Sequence, residues 1–286
     1  MENQYLDILR KVRDEGEERQ TRNSVTRSLF GVRMEFDISE SFPLLTTKRM
    51  YWKGIAKELL WFLRADTNAT RLSDQGVHIW DGNTTREFLD SRGLQQYREG
   101  ECGPIYGFQW RHFNAEYRGS EADYSNCGVD QLQNCIDLIR NNPTSRRIFM
   151  SGWNPCQLDK MCLPPCHVSY QFYVSKGTHL CCQMYQRSGD LFLGVPFNIA
   201  STSLLTYLVA QTCGLQPGKV VIVIGDAHIY DCHLEQVNEQ LSRTPEHSFP
   251  QLNIKRTCEK VEDYTYDDLE LLNYKCQKSI RAPMIA

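Results

Sequence analysis

The stretch MCLPPCHVSYQFYV (residues 161–174) combines a rigid segment with a strand pattern. Two adjacent prolines restrict the backbone directly before Cys166, and His167 follows at once. From Val168 onward apolar and polar side chains alternate, which predicts a half-buried β-strand. A structural thiol needs no such rigid support, although a cysteine in an arbitrary protein is more often a core residue than a nucleophile. The stretch therefore predicts part of a sheet and makes Cys166 a candidate nucleophile.

The rest of the chain mixes strand and helix patterns around this stretch. Strands are predicted at residues 146–154, 179–188 and 220–230, and residues 28–38 resemble two paired strands. Helices are predicted near the N-terminus and at residues 42–66, 128–143 and 198–215, whereas residues 96–126 resemble a loop with short helices. No regular βαβ repeat, internal repeat or linker is present. We therefore expect a single mixed domain over residues 1–286.

Composition excludes several classes of function. The chain has 286 residues, of which 41% are hydrophobic and 23% charged, as in soluble globular proteins. Its net charge of −3 gives no broad basic surface, so nucleic acid is not expected as the main ligand. No apolar stretch approaches the roughly 20 residues that span a bilayer, and the charged amphipathic N-terminus is unlike a signal peptide. The expected location is a reducing compartment, the cytoplasm.

The twelve cysteines indicate neither a disulfide framework nor a metal site. There is no C-x-x-C pair, and the spacing of Cys156, Cys162 and Cys166 matches no common zinc pattern. We expect free thiols and no metal.

Arginines near Cys166 are candidates for thiol activation and anion binding. Nucleophilic cysteine chemistry needs a thiolate, and nearby positive charge lowers the thiol pKa. Arg187, at a predicted strand end and followed by Ser188 and Asp190, could supply that charge or could be a surface arginine in a turn. The doubled Arg146 and Arg147 suit bidentate phosphate binding, or they form a solvated strand end.

Polar residues in apolar surroundings complete the candidate set. Glu58 lies on a predicted helix that is apolar on both sides, so it is either held by hydrogen bonds or kept for proton transfer. Asn198 could be a helix cap, or its carboxamide could bind a pyrimidine edge. His228 and Tyr230 share one face of a predicted buried strand, where they could bind a sugar hydroxyl or form a core pair.

Taken together, these motifs resemble the folate-dependent thymidylate synthase family. The resemblance runs from about residue 28 to residue 286, and its motifs occur in the family's order and spacing: FPLLTTKRMYWKGIAKELLWFLRADTNA, GPIYGFQWRHFNAEY, PTSRRIFMSGWNP, LPPCHVSYQFYV, YQRSGDLFLGVPFNIAS and GDAHIYDCH. It implies an α/β (α+β) fold with a large mixed β-sheet covered by helices, and a homodimer formed by sheet packing. It also implies that dUMP and 5,10-methylenetetrahydrofolate are converted to dTMP and dihydrofolate.

The resemblance assigns a role to each matching residue. Cys166 would attack C6 of dUMP, and Glu58 would move protons through ordered water. Asn198 would contact the uracil edge. The remaining assignments are Tyr106 and His167 as further participants, His228 and Tyr230 at the deoxyribose, Arg187 and Ser188 at the phosphate of the same subunit, Arg146 and Arg147 at the phosphate of the partner, Asp190 at the pterin and nucleotide, and Trp80, Asn83, Lys48 and the C-terminal Ala286 at the folate.

The sequence departs from the family pattern at four places. The glycine-rich loop that carries a phosphate-binding arginine reads RQTRNSVTRSLFG here, and the best alignment assigns that arginine to Arg22, with Arg19 and Arg27 as alternatives. Thr202 replaces a usual tyrosine, Cys232 replaces a usual asparagine, and the C-terminal Pro-His-Pro is absent. Two other functions stay open: a nucleotide hydroxymethylase and a catalytically weak binding paralogue. An indole at Trp80, which would exclude water, favours the synthase over the hydroxymethylase.

Overall fold

The computed structural model describes residues 2–21 and 24–285 of the chain, and within these residues most strands form one mixed sheet. The order across this sheet is β1-β2-β6-β5-β4-β3; β5 and β6 run parallel, and the other neighbours are antiparallel. A separate antiparallel pair is formed by β7 and β8. The strands are β1 (Glu17–Gln20), β2 (Val25–Asp37), β3 (Phe149–Ser151), β4 (His167–Ser175), β5 (His179–Asp190), β6 (Gln216–Tyr230), β7 (Gln251–Ile254) and β8 (Leu269–Leu272).

Helices cover one face of the large sheet. The α-helices of the described ranges are α1 (Asn3–Glu15), α2 (Trp52–Leu63), α3 (Thr70–Ser73), α4 (Arg86–Ser91), α5 (Tyr106–His112), α6 (Gln131–Asn141), α7 (Gly194–Thr212) and α8 (Leu234–Ser242). Most of the 19 residues of α7 are buried, because this helix packs between β5 and β6 on one side and α2 on the other. None of the helices in the described ranges combines the length and hydropathy of a membrane-spanning segment.

The two faces of the sheet differ in exposure. On the helix side, Tyr170 and Met184 are buried at opposed positions next to the core. On the other side, Tyr173 and Tyr185 are 67% and 38% exposed. The expected fold class, a large mixed sheet covered by helices, is confirmed.

Several predicted boundaries are wrong. Residues 28–37 form part of a single strand, β2, which pairs with β1 on one side and β6 on the other. The predicted helix at residues 42–66 is helical only over α2, and the predicted strand at residues 146–154 is limited to β3. Long-range bonds hold the segment before α2: the Glu2 carboxylate accepts hydrogen bonds from the backbone and hydroxyl groups of Thr46 and Thr47, at 2.6–3.0 Å.

A glycine determines how closely α5 approaches α2. A Cβ at Gly107 would lie 2.1 Å from the Phe62 carbonyl oxygen, so only glycine allows this contact between the helices. The close packing places Tyr106, the first residue of α5, beside the segment that precedes β4.

Candidate active site

A cavity of about 370 Å³ opens where β5 and β6 end. Because these strands are parallel, with Ser188 opposite Asp226 and Asp190 opposite His228, their carboxyl ends meet at one edge. The cavity is lined by Thr21, Thr26, Phe88, Arg92, Cys162, Leu163, Pro164, Arg187, Ser188, Asp226, His228 and Tyr230. The structure therefore brings together four of the residues that the sequence analysis proposes for nucleotide binding.

The segment before Cys166 is fixed by hydrogen bonds to its backbone. Arg187 donates from Nε to the Pro165 carbonyl and from Nη2 to the Pro164 carbonyl, both at 2.9 Å. The backbone amide of Arg187 donates to the Cys166 carbonyl at 2.9 Å, and the Cys166 amide donates to the Tyr106 hydroxyl at 2.9 Å. The segment with the two prolines is thus fixed by Arg187 on one side and Tyr106 on the other, as its rigid sequence suggests.

Burial and neighbouring groups shift the pKa of the Cys166 thiol in opposite directions. Burial raises its pKa, while the positive charge of Arg187 and a hydrogen bond with Tyr106 lower it. Arg187 acts in the direction that the sequence analysis expects, but burial outweighs it, so the net pKa of the thiol is raised. A thiolate at this position depends on further positive charge or hydrogen-bond donors.

Glu58 projects from α2 into aromatic surroundings. Trp80 donates a hydrogen bond from its indole Nε1 to Glu58 Oε1 at 2.8 Å. Burial raises the pKa of Glu58 to about 7, although the Trp80 bond opposes the rise. At neutral pH this carboxyl group can both donate and accept a proton.

An aromatic wall connects Glu58 to the cysteine segment. The Tyr106 ring stacks on Phe62 with ring centroids 4.8 Å apart, and Trp80 meets Tyr106 edge-on at 6.0 Å. His167 lies 5.4 Å from Tyr106 on the other side. Burial lowers the pKa of His167 to about 4, so its imidazole is neutral at pH 7. This aromatic wall is mostly apolar and has few polar atoms.

Asn198 lies inside α7 and does not cap it. The N-cap position is Leu193, and Asn198 Oδ1 instead accepts a hydrogen bond from Gln186 Nε2 at 2.9 Å. The same carboxamide lies close enough to His167 to oppose the lowering of its pKa by burial. The helix-cap alternative is therefore wrong, and the carboxamide is oriented by Gln186.

Two of the candidates for folate binding meet around Phe192. Asp190 accepts from the Phe192 amide at 2.9 Å, and the ammonium of Lys48 donates to the Phe192 carbonyl and lies 3.6 Å above its ring. Lys48 is buried, which lowers its pKa to about 7. Asn83 is buried in a short 3-10 turn, Asp81–Asn83. Their contacts with a folate stay predictions.

The other candidates among the described residues do not line the cavity, and these include Cys166, Glu58 and Asn198. Arg146 and Arg147 are exposed in the turn before β3 and do not join Arg187 within one chain. Arg22 and Ala286 lie outside the described residues. Of the alternatives to Arg22, Arg19 donates to Asp226 at the cavity, 3.0 Å away. The other, Arg27, donates to the Arg13 carbonyl at 3.3 Å.

The cavity also contains residues that the sequence analysis missed. Phe88 and Arg92 come from α4 and the position after it, and they belong to no motif that indicates nucleotide binding. A larger cleft of about 840 Å³ is lined by residues 37, 39–41, 246–249, 251, 273 and 275, and none of the predicted site residues lines it. Over the described ranges, no group of three or more His, Cys, Asp or Glu side chains is arranged to hold a metal ion.

Comparison with known proteins identifies the family of the chain. The family model described as thymidylate synthase matches residues 3–286. The chain is 52% identical over 284 residues to a bifunctional dihydrofolate reductase-thymidylate synthase of Paramecium tetraurelia, covering 99% of this chain and 61% of that protein. It is 52% identical to the thymidylate synthase of Human herpesvirus 8 type P (isolate GK18), covering 98% and 83%, and 50% identical to that of Homo sapiens, covering 98% and 90%.

The chain thus spans about three fifths of the bifunctional relative and most of the two single-function relatives. The match extends over nearly every residue that forms the sheet and the cavity. The chain belongs to the thymidylate synthase family.

Proposed function

We propose that the protein is a thymidylate synthase, a methyltransferase that converts dUMP and 5,10-methylenetetrahydrofolate into dTMP and dihydrofolate. The observation that carries this proposal is the position of Cys166. Its backbone is held by Arg187 beside a cavity that also presents Ser188, His228 and Tyr230. The candidate nucleophile thus lies next to a cavity lined by a guanidinium group and by the groups proposed to bind the sugar.

In this proposal the Cys166 thiolate adds to C6 of the uracil ring. The C6–S bond forms, and the electron pair of the C5–C6 double bond moves towards C5 and O4. Burial disfavours the thiolate, so the charge of Arg187 and the Tyr106 hydrogen bond offset part of that cost. Bound dUMP would be oriented by Asn198, whose carboxamide is itself held by Gln186.

Glu58 serves proton transfer in the same proposal. Its pKa of about 7 allows it to give a proton towards O4 and to take one from C5 at neutral pH. The Trp80 indole holds one carboxyl oxygen at 2.8 Å, so the other is left to face the ring through water. Trp80 would also limit the access of bulk water to C5.

In this proposal the folate binds between this aromatic wall and the start of α7. When bound, it supplies the one-carbon unit and the hydride. Trp80 would provide an aromatic surface, and Asn83 and Asp190 would offer polar atoms to the pterin. Lys48 and Ala286 are proposed at its outer end. The proposal needs no metal.

One assay tests the reaction and its main alternative. The purified protein is incubated with dUMP and 5,10-methylenetetrahydrofolate, the nucleotide is identified by mass, and dihydrofolate is followed by absorbance. We expect dTMP and an equal amount of dihydrofolate. A hydroxymethylated nucleotide without dihydrofolate would identify the hydroxymethylase. No product with retained binding would identify the weak paralogue.

The exposed face of the sheet supports a homodimer. Phe149, Tyr173 and Tyr185 stand on this face at 50%, 67% and 38% exposure. Exposed aromatic groups on a sheet face are typical of interfaces. Arg146 and Arg147 lie in the turn just before β3, so we propose that sheet packing carries them to the phosphate site of the partner subunit.

Complementation between two inactive variants tests the shared site. An Arg147→Ala chain and a Cys166→Ala chain, each weak or inactive alone, should regain activity after subunit exchange. Half of the dimers are then mixed and each has one intact site, so up to about a quarter of the wild-type rate is expected. The measurement is dTMP formation in the mixture against each variant alone.

The control uses a variant of Arg187, which is proposed to act in its own subunit, instead of the variant of Arg147, which is proposed to act in the partner. A mixture of Arg187→Ala and Cys166→Ala chains should stay inactive, because every site in the mixed dimer keeps one defect. If the first mixture also stays inactive after exchange has been verified by mass spectrometry, Arg147 acts within its own subunit and the shared site is wrong.

Asn198→Asp tests how the base is selected. An ionised carboxylate accepts hydrogen bonds but cannot donate to O4 of uracil, whereas it can accept from the cytosine amino group. It still accepts from Gln186, so the local structure is kept. The ratio of kcat/KM for dUMP to that for dCMP should fall by about tenfold or more. An unchanged ratio would assign base selection to another residue.

The cysteines support the proposed cytoplasmic location. All twelve are free. Free thiols in this number are typical of proteins from reducing compartments.

A further inference from the structure

Arg92 lines the cavity, and one of its guanidinium nitrogens is buried without a hydrogen-bond partner in the described residues. It follows the last residue of α4 and lines the cavity together with Phe88, one turn earlier. Its Nε is buried and has no hydrogen-bond partner within residues 2–21 and 24–285. A buried guanidinium N–H without a hydrogen-bond partner is unfavourable. Arg92 is therefore suited to bind a ligand that supplies a hydrogen-bond acceptor.

Arg86, the first residue of α4, also has a buried Nε without a partner in the described residues, but its other guanidinium nitrogens are bonded, unlike those of Arg92. Arg86 pairs with Asp90 at 2.8 Å and donates to the carbonyls of Leu94 and Tyr97. These contacts hold the end of α4 in place. Arg92 has no ion pair in the described parts of the chain. Its charge is therefore available to the cavity.

The charges around Arg92 favour an anion. Arg187 supplies a second guanidinium group to the same cavity, and the carboxylate of Asp226 also lines the cavity. That carboxylate is already bonded by Arg19 at 3.0 Å and faces His228 at 3.2 Å. Because its charge is offset by Arg19, the cavity keeps a net positive character. Two guanidinium groups at one cavity suit the oxygens of a phosphate.

We infer that Arg92 binds the 5′-phosphate of dUMP together with Arg187. This inference rests on the proposed function, and it adds a phosphate ligand to those implied by the family resemblance. A folate carboxylate is a less suitable acceptor, because the cavity includes Ser188, His228 and Tyr230 but not the folate candidates Trp80, Asn83 or Asp190. The extra cation would also support phosphate binding in a chain whose phosphate loop has no glycines.

The test compares Arg92→Gln with the wild type. Glutamine keeps much of the aliphatic stem and removes the charge. The dissociation constant of dUMP should rise by about tenfold, since one charge-assisted contact is lost. The inhibition constant of inorganic phosphate against dUMP should rise by a similar factor. Inhibition by deoxyuridine, which has no phosphate, and kcat at saturating dUMP should change less than about twofold.

Two further variants serve as controls. Arg98→Gln removes an exposed arginine outside the cavity, six positions along the chain, and should leave dUMP binding unchanged. Arg92→Lys keeps the charge but loses the planar fork, so it should weaken dUMP binding by about threefold. The lysine variant also tests the inference if Arg92→Gln does not fold, as judged by thermal melting.

Three results would overturn the inference: unchanged dUMP binding by the Arg92 variants, an equal loss for deoxyuridine, or a raised KM for the folate alone. These results differ from a failure of the proposed function. In that case the wild type itself would neither bind dUMP nor form dTMP.

Discussion

Replacing Cys166 by alanine is expected to reduce dTMP formation by at least about 10⁴-fold, because no covalent bond to C6 can form. Binding of dUMP should change little, since the phosphate and sugar contacts come from other residues. The backbone amide of residue 166 still donates to Tyr106, so the segment should keep its position. The measurements are the single-turnover rate and the dissociation constant of dUMP for Cys166→Ala.

The other thiols provide matched controls. Cys156 is exposed, and Cys156→Ala should keep the wild-type rate. Saturating dUMP should protect Cys166 from alkylation while Cys156 and Cys232 still react. Cys162 also lines the cavity, but it is buried. If Cys166→Ala turns over normally, or if dUMP protects Cys162 instead, the nucleophile has been assigned wrongly.

Glu58→Gln is expected to lower kcat by about 10²–10⁴-fold, the usual range for loss of a positioned acid or base. Glutamine has nearly the same shape and can still accept from Trp80. The variant therefore separates proton transfer from packing. Because burial raises the pKa of Glu58 to about 7, the wild-type rate should change across pH 6–8 as this group loses its proton. That inflection should disappear in the variant.

Glu235→Gln is the matched control, because Glu235 is exposed on α8, away from the cavity. It should keep both the rate and the pH profile of the wild type. A Glu58→Gln rate within about threefold of the wild type would show that the carboxyl group is only a hydrogen-bond acceptor for Trp80. A pH inflection that persists in Glu58→Gln would assign the titration to another group.

Most strands of the large sheet could be predicted from the sequence. Alternation identifies β4 and β5, and continuous burial identifies β6, because periodicity is a local signal. Residues 42–51 were assigned wrongly to a helix, since the contacts that hold them come from Glu2, more than 40 positions away. Helix propensity cannot detect such a contact, and tertiary bonds override it.

The site could be predicted only in part for the same reason. Residues in recognisable motifs, such as Arg187 and His228, do line the cavity. Arg92 reaches it through the packing of α4, which no local pattern encodes. The raised pKa of Cys166 likewise depends on burial by the whole fold. Motifs identify residue types, whereas the balance of charge and desolvation requires three-dimensional positions.

The parallel register of β5 and β6 has an evolutionary consequence. Ser188 lies opposite Asp226, and Asp190 lies opposite His228, across this ladder. An insertion or deletion of one residue within either strand would turn every following side chain to the opposite face and dismantle the site in one step. Loops tolerate changes of length far better. Lineages of this fold can therefore vary in length between their strands, while the two strands accept substitutions only.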